Sequence, residues 1–327
     1  MRSCRSIIAI AATATLALGA AACGSDDDEG SGGAEGSKKV SGTIAIDGSS
    51  TVFPLVQAAA EQFQGENPDV KITVGESGTG GGFEKFCAGE TDISNASRPI
   101  KDDEEVPVCK KNKVAYSEVQ VANDGIAVAT NKDLTIDCMT TAELKKLWNK
   151  GSKVKTYNEV NPKFPGEQAS LFGPGTDSGT FDFFTDEING EEGATRKDYQ
   201  PSEDDNVLVQ GVSGDKGGLG YFGFSYYEAN QDKLNLVGVD SGSGCIKPSK
   251  ATIQDGSYKP LSRPIFMYPS AKSLAKPQVK AFMDYILANQ AQITEAAQIV
   301  PMTEAQVTKS QQALKTAEGA AGGTATQ

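Results

Sequence analysis

Short β segments and helical segments alternate through most of this chain, and a loop rich in Gly, Ser and Thr stands at three of the strand-to-helix junctions. Strand candidates fall at Thr43–Ile46, Val70–Val74, Asp92–Asn95, Gly125–Thr130, Ala169–Phe172, Gly220–Phe224, Leu234–Val239 and Pro264–Tyr268. Helical spacing follows several of them. Val52, Leu55, Val56, Ala59 and Phe63 share one face, with Pro54 tolerated in the first turn. Phe181, Phe184 and Ile188 repeat the pattern, and Pro277 opens a helix carrying Val279, Phe282, Met283, Ile286 and Leu287. Thr140 and Glu143 have the spacing of a capping box. Such alternation predicts α/β architecture, with open sheets covered by helices. Ligands of such sheets bind beyond the C-terminal strand ends, where helix N-termini point.

The three loops are Asp47–Thr51, Gly75–Gly82, read as a loop leading into a short helix, and Gly173–Thr180. Each offers hydroxyls near a helix start and glycines that let backbone approach a ligand closely. A helix start presents unpaired N–H groups and about half a positive charge, so it favours anions. One such loop means little, because a Ser or Thr there usually serves only its helix. Three of them, plus Ser97-Arg98-Pro99 at a strand end, point to an oxyanion site. The Arg98 guanidinium can grip two oxygens of a tetrahedral anion. Arg98→Ala is therefore expected to weaken anion binding by about 2 kcal/mol or more.

Composition removes competing classes. The 327 residues include no histidine, which excludes a Ser-His-Asp triad, a Cys-His dyad and His-ligated metal sites. A formal charge of −12 argues against nucleic acid as a partner. It also requires local groups to capture any small anion, because the overall field repels it. No catalytic residue, metal or cofactor is called for.

The chain opens with Arg2 and Arg5, then an uncharged, largely apolar stretch over residues 7–22, then Cys23. The stretch is short for a bilayer span of about 20 residues, so residues 1–22 read as a secretory signal. Small residues leading into a cysteine resemble a bacterial lipoprotein signal, which would make Cys23 the lipidated first residue of the mature chain. Residues 23–39 are rich in Gly, Ser and Asp and read as a disordered tether; residues 317–327 read as an unstructured tail. These features predict a body held outside the cell membrane, at the cell surface or in a periplasm. Cys87, Cys109, Cys138 and Cys245 remain, an even number that suggests two disulfides in an exported protein.

DGSSTVFPL, SGTGGGFEKF, DISNASRPI, DGIAVATN, GTDSGTFDFF and GGLGYFGFSYY together resemble the PstS family, the phosphate-binding substrate-capture proteins of ABC importers. The resemblance implies a type II periplasmic-binding-protein fold: two α/β lobes joined by two crossover strands, with the anion between them. Lobe 1 would comprise residues 40–125 plus 263–316, and lobe 2 residues 126–262. Cys87–Cys109 and Cys138–Cys245 are then the favoured pairings of the three available, because each stays within one lobe. The family's anion ligands carry over onto Ser50 and Thr51, Thr79 and Gly80, and Ser178, Gly179 and Thr180, with Ser97 and Arg98 beside them. Implied partners are inorganic phosphate, a membrane permease, and the membrane itself through the lipid anchor, for a protein expected to be a monomer.

Two departures bear on specificity. Described members carry an Asp at the end of the third strand, where this chain has Ser97, and often an Arg before the SGT turn, where it has Pro174. That Asp accepts a hydrogen bond from protonated phosphate and repels sulfate, which carries no proton. Asp177, Asp47 and Glu76 are the candidates for the missing acceptor. Without one, another tetrahedral oxyanion such as sulfate or arsenate becomes an alternative ligand. A surface interaction protein reusing the fold is a second alternative; a phosphatase is disfavoured, since nothing evident activates Ser178.

Overall fold

The computed structural model describes residues 40–322. The leader, Cys23 and residues 23–39 of the tether lie outside the described residues, as do residues 323–327. The strands are β1 (Gly42–Gly48), β2 (Val70–Val74), β3 (Ile93–Ala96), β4 (Val119–Asn131), β5 (Cys138–Thr140), β6 (Ser170–Pro174), β7 (Gln200–Ser202), β8 (Gly218–Gly223), β9 (Leu234–Asp240), β10 (Cys245–Ile246) and β11 (Ser262–Pro269). Their order is β2-β1-β3-β11-β4-β8-β6-β7, with β9 joined to β4, β5 and β10.

β1 pairs in parallel with β2 and β3, so the β1 and β3 ends lie side by side; β6 pairs in parallel with β7 and β8. β4 joins these two halves. Its first part lies antiparallel to β11, with Gly125 opposite Ser262 and Asp124 opposite Arg263. Its second part pairs with β8 and β9, Ile126 opposite Gly223 and Val128 opposite Val237. The apolar core divides at the same place. Ile44, Leu55, Phe63, Val121, Ala122, Ile265 and Phe282 belong to one cluster, and Ile126, Val128, Trp148, Leu171, Phe184, Tyr221 and Val237 to another. The result is two α/β lobes with β4 and β11 running between them.

Local chemistry explains the elements that position the cleft. Helix α1 (Phe53–Glu66) has Pro54 near its start, where the missing N–H costs nothing, and buries Leu55, Val56, Ala59, Ala60 and Phe63. Helix α2 (Gly78–Ala88) begins inside the stretch read as loop. Gly82 makes this packing feasible, since a Cβ there would lie 2.4 Å from Gly48 Cα; the close approach seats α2 directly on β1. The Thr140–Glu143 capping box forms as its spacing predicts.

Other differences have physical causes. The first part of β4 was not apparent as a strand because Asn123 and Asp124 interrupt its apolar pattern. Both are buried but satisfied: Asn123 Nδ2 donates to Pro301 O, and Asp124 accepts from Arg263 Nε. β5, β7 and β10 are too short to show a period of two. Phe224 opens a helix (Phe224–Ala229) instead of closing a strand. The C-terminal helix spans Glu304–Gly322, so residues 317–322 are helical where a structureless tail was expected; alanine, the best helix former, recurs there.

Cys87–Cys109 and Cys138–Cys245 are both bonded. The first ties α2 to helix α3 (Glu105–Lys111); the second ties β5 to β10 beside β9. The second spans 107 residues, a loop whose closure contributes about 5 kcal/mol in the chain-entropy treatment. Replacing both Cys138 and Cys245 by Ser is expected to lower unfolding free energy by about 3–5 kcal/mol in denaturant titrations.

Candidate anion-binding cleft

A cleft of about 770 Å³ lies where the three loops meet. Ser49, Ser50 and Thr51 line it from the β1–α1 junction, Ser77 to Gly81 from the start of α2, Ser97 and Arg98 from the end of β3, and Gly179 from the start of the Gly179–Phe184 helix. The contact across the lobes is intimate. A Cβ on Gly179 would lie 2.2 Å from Thr51 Oγ1 and 2.6 Å from Ser50 Oγ. Only glycine permits that approach.

Several groups here are arranged by their neighbours. Thr79 Oγ1 accepts from Ser97 N at 3.2 Å and lies 3.0 Å from Ser97 Oγ, so the α2 start is bound to the β3 end. Asp47 accepts from both Ser77 N and Ser77 Oγ, and Lys85 Nζ donates to it at 2.6 Å. Burial alone would raise the Asp47 carboxyl, but the bonds from Lys85 and Ser77 outweigh it and lower the pKa. Asp47 thus anchors α2 and is not among the cleft-lining residues. Ser178 Oγ caps its helix, accepting from Thr180 N at 3.2 Å. The N–H groups of Ser50 and Thr51 meet no acceptor among the described residues.

The predicted residues separate into groups. Ser50, Thr51, Thr79, Gly80, Ser97, Arg98 and Gly179 share the cleft. Ser178 and Thr180 flank Gly179 without lining it. Glu76 and Asp177 are exposed and outside the lining; burial and then the charge of Asp177 raise the Glu76 pKa, so the two carboxylates repel one another. Arg98 lines the cleft, but its guanidinium is held by Glu105, with Nη2 to Oε1 at 2.6 Å and Nη1 to Oε2 at 3.1 Å.

The cation at the junction is Arg263, which the sequence reading passed over. Its Nη2 donates to Thr51 Oγ1 at 2.8 Å and to Gly179 O at 3.3 Å, while Nε donates to Asp124 Oδ2 at 3.2 Å. The guanidinium carbon stands 3.7 Å above the centre of the Phe183 ring. Burial lowers the Arg263 pKa, opposed by Asp124, Glu187 and Asp182. An arginine nevertheless stays charged. The signal available in the sequence was its place immediately before the Pro264–Tyr268 strand candidate, in Ser-Arg-Pro, the same tripeptide that drew attention to Arg98.

Asp182 also lines the cleft and was not singled out. Burial pushes its carboxyl up to about 6, helped by Glu192 and opposed by Arg263. A carboxyl raised in the folded state holds its proton to higher pH than in the unfolded chain, so folding loses stability as pH climbs through that window. Asp182→Asn is therefore expected to raise the melting temperature at about pH 8, and the gain should vanish below about pH 4, in thermal melts across pH.

Fold and cleft define a two-lobed protein of the periplasmic-binding class. The PBP superfamily domain profile matches residues 33–290. Protein SphX of Synechococcus elongatus is 46% identical over 262 residues, covering 79% of this chain and 77% of that protein. The phosphate-binding protein PstS of Staphylococcus saprophyticus is 40% identical over 304 residues, covering 92% of this chain and 91% of the relative. The crystal structure of a possible phosphate binding protein from Planctomyces limnophilus shares 45% identity and superposes with a TM-score of 0.80, covering 85% of this chain and 99% of the other. The chain belongs to the PstS family within the PBP superfamily.

Proposed function

We propose that this protein captures inorganic phosphate outside the cytoplasm and delivers it to an ABC-type importer, without catalysing a reaction. The carrying observation is the convergence of three strand-to-helix junctions on one cleft that also holds a half-buried arginine, Arg263. Names of relatives agree: PstS is a phosphate-binding protein. Two disulfides fit an oxidising compartment.

Ser50, Thr51, Thr79, Gly80, Ser97 and Gly179 supply hydroxyl and N–H donors, and Arg263 supplies the positive charge. Ser178 and Thr180 shape the helix start from either side. Arg98 acts from the cleft wall through its pair with Glu105. Lobe 1 is assigned to residues 40–125 with 263–316, and lobe 2 to 126–262; the lobes close over the ion and present that shape to the permease. Cys23 anchors the chain by lipid after removal of residues 1–22, and the receptor works as a monomer. Ser178 is occupied in capping its helix, which supports binding over hydrolysis.

The presence of Ser97 where the family resemblance implies a carboxylate favours one second reading, a receptor for another tetrahedral oxyanion such as sulfate or arsenate. Calorimetry with phosphate and with sulfate separates the two; heat with sulfate alone overturns the phosphate assignment, and heat with neither, without a rise in melting temperature, favours a surface protein reusing the fold. Arg263→Gln is expected to weaken phosphate binding by about 2 kcal/mol or more, because it removes a charged donor whose side chain is only 14% exposed. Arg98→Ala should cost less than that, since Glu105 already engages its guanidinium. Equal affinities for wild type and Arg263→Gln would remove Arg263 from the ligand set.

A further inference from the structure

We propose that Asp182 decides which protonation state of the oxyanion the cleft accepts; this deepens the receptor reading and rests on it. Gly179, Asp182 and Phe183 stand at positions i, i+3 and i+4 of one helix and so share a face. Gly179 is pressed against Thr51, and Phe183 lies under the Arg263 guanidinium. That face is the one turned to the anion donors, and Asp182 sits in it.

The other lining acids are otherwise engaged. Glu105 is paired with Arg98 and Glu104 with Lys101, while Asp186, Glu187 and Glu192 are exposed. Asp182 is shielded from solvent in part and has neither an ion-pair partner nor a hydrogen-bond donor for its carboxylate among the described residues. The charged groups facing it are Glu192 from its own lobe and Arg263 from β11, which is shared with Asp124 of β4 and with Glu187. The Tyr221 hydroxyl of β8 interacts electrostatically with Asp182, and Arg98 and Lys101 line the same cleft from the other lobe.

A carboxylate in that position has two states with opposite demands. Ionised, it accepts a hydrogen bond from an anion that still carries a proton, such as HPO4(2−), and repels one that carries none. Protonated, it donates a hydrogen bond to a bare oxyanion, and the rejection of sulfate relaxes. Its raised pKa places the change between the two within reach of mild acid. Selectivity is then a property of pH as well as of shape.

Calorimetry of the purified protein and of Asp182→Asn, with sodium phosphate and with sodium sulfate at about pH 8 and about pH 5, tests this. Wild type is expected to gain about tenfold or more in sulfate affinity on acidification, the equivalent of one pK unit of coupling. Asp182→Asn is expected to lose that pH dependence and to narrow the phosphate-to-sulfate ratio at about pH 8 by about tenfold or more. A flat sulfate response in wild type, or an unchanged ratio in a variant that melts cooperatively, overturns the assignment while phosphate binding by wild type leaves the receptor reading standing. Failure of wild type to bind phosphate at either pH overturns both. Should the variant not fold, the wild-type sulfate response to pH decides alone.

Discussion

The contact on which the cleft depends is that of the half-buried Arg263. One guanidinium is held by Asp124 on β4, lies on Phe183 of the second lobe, donates to Thr51 of the first, and reaches the Gly179 carbonyl. Burying a cation without partners would be prohibitive, and removing any partner of a buried pair is costly. Here the ion pair, the ring face and two oxygens share the work. The loops that carry the hydroxyls are thereby drawn to a common point. An oxyanion arriving there meets a positive charge already in place, which offsets the acidic exterior of a chain with a formal charge of −12.

Glycine sets the second constraint. Gly179 and Gly82 each occupy a place where a single methyl group would collide, one with the Ser50–Thr51 loop and the other with Gly48 of β1. At Gly82 the close neighbour is backbone, and at Gly179 it is the Thr51 and Ser50 hydroxyl oxygens together with Thr51 N, so donors stand close on both sides of the cleft. The capping bonds of Ser178 and the grip of Asp47 on Ser77 then fix how the helix starts are aimed.

Much of this was legible beforehand, for reasons that differ by element. β2 and the Thr140–Glu143 cap follow from patterns that are local in sequence, and both form as read. The loops were visible because Gly, Ser and Thr cluster where strand meets helix. The disulfide pairing followed from keeping each bond inside one lobe. What escaped depends on tertiary partners. Arg263 and Arg98 occur in the same tripeptide, Ser-Arg-Pro, yet one faces the junction of the lobes and the other is captured by Glu105, a residue placed by the Cys87–Cys109 bond between α2 and α3. Asp47, Glu76 and Asp177 were plausible acceptors by proximity in sequence alone. Lys85 and Ser77 occupy the first, and the other two stand outside the cleft lining. The β4 start was hidden by Asn123 and Asp124, buried polar residues whose partners lie far along the chain.

The two crossover strands lie side by side, Gly125 opposite Ser262 and Asp124 opposite Arg263, where the chain passes from one apolar cluster to the other. Arg263 is thereby rooted on the bridge between the two halves, and the hydroxyl and carbonyl that it holds, from Thr51 and Gly179, come from loops on opposite banks.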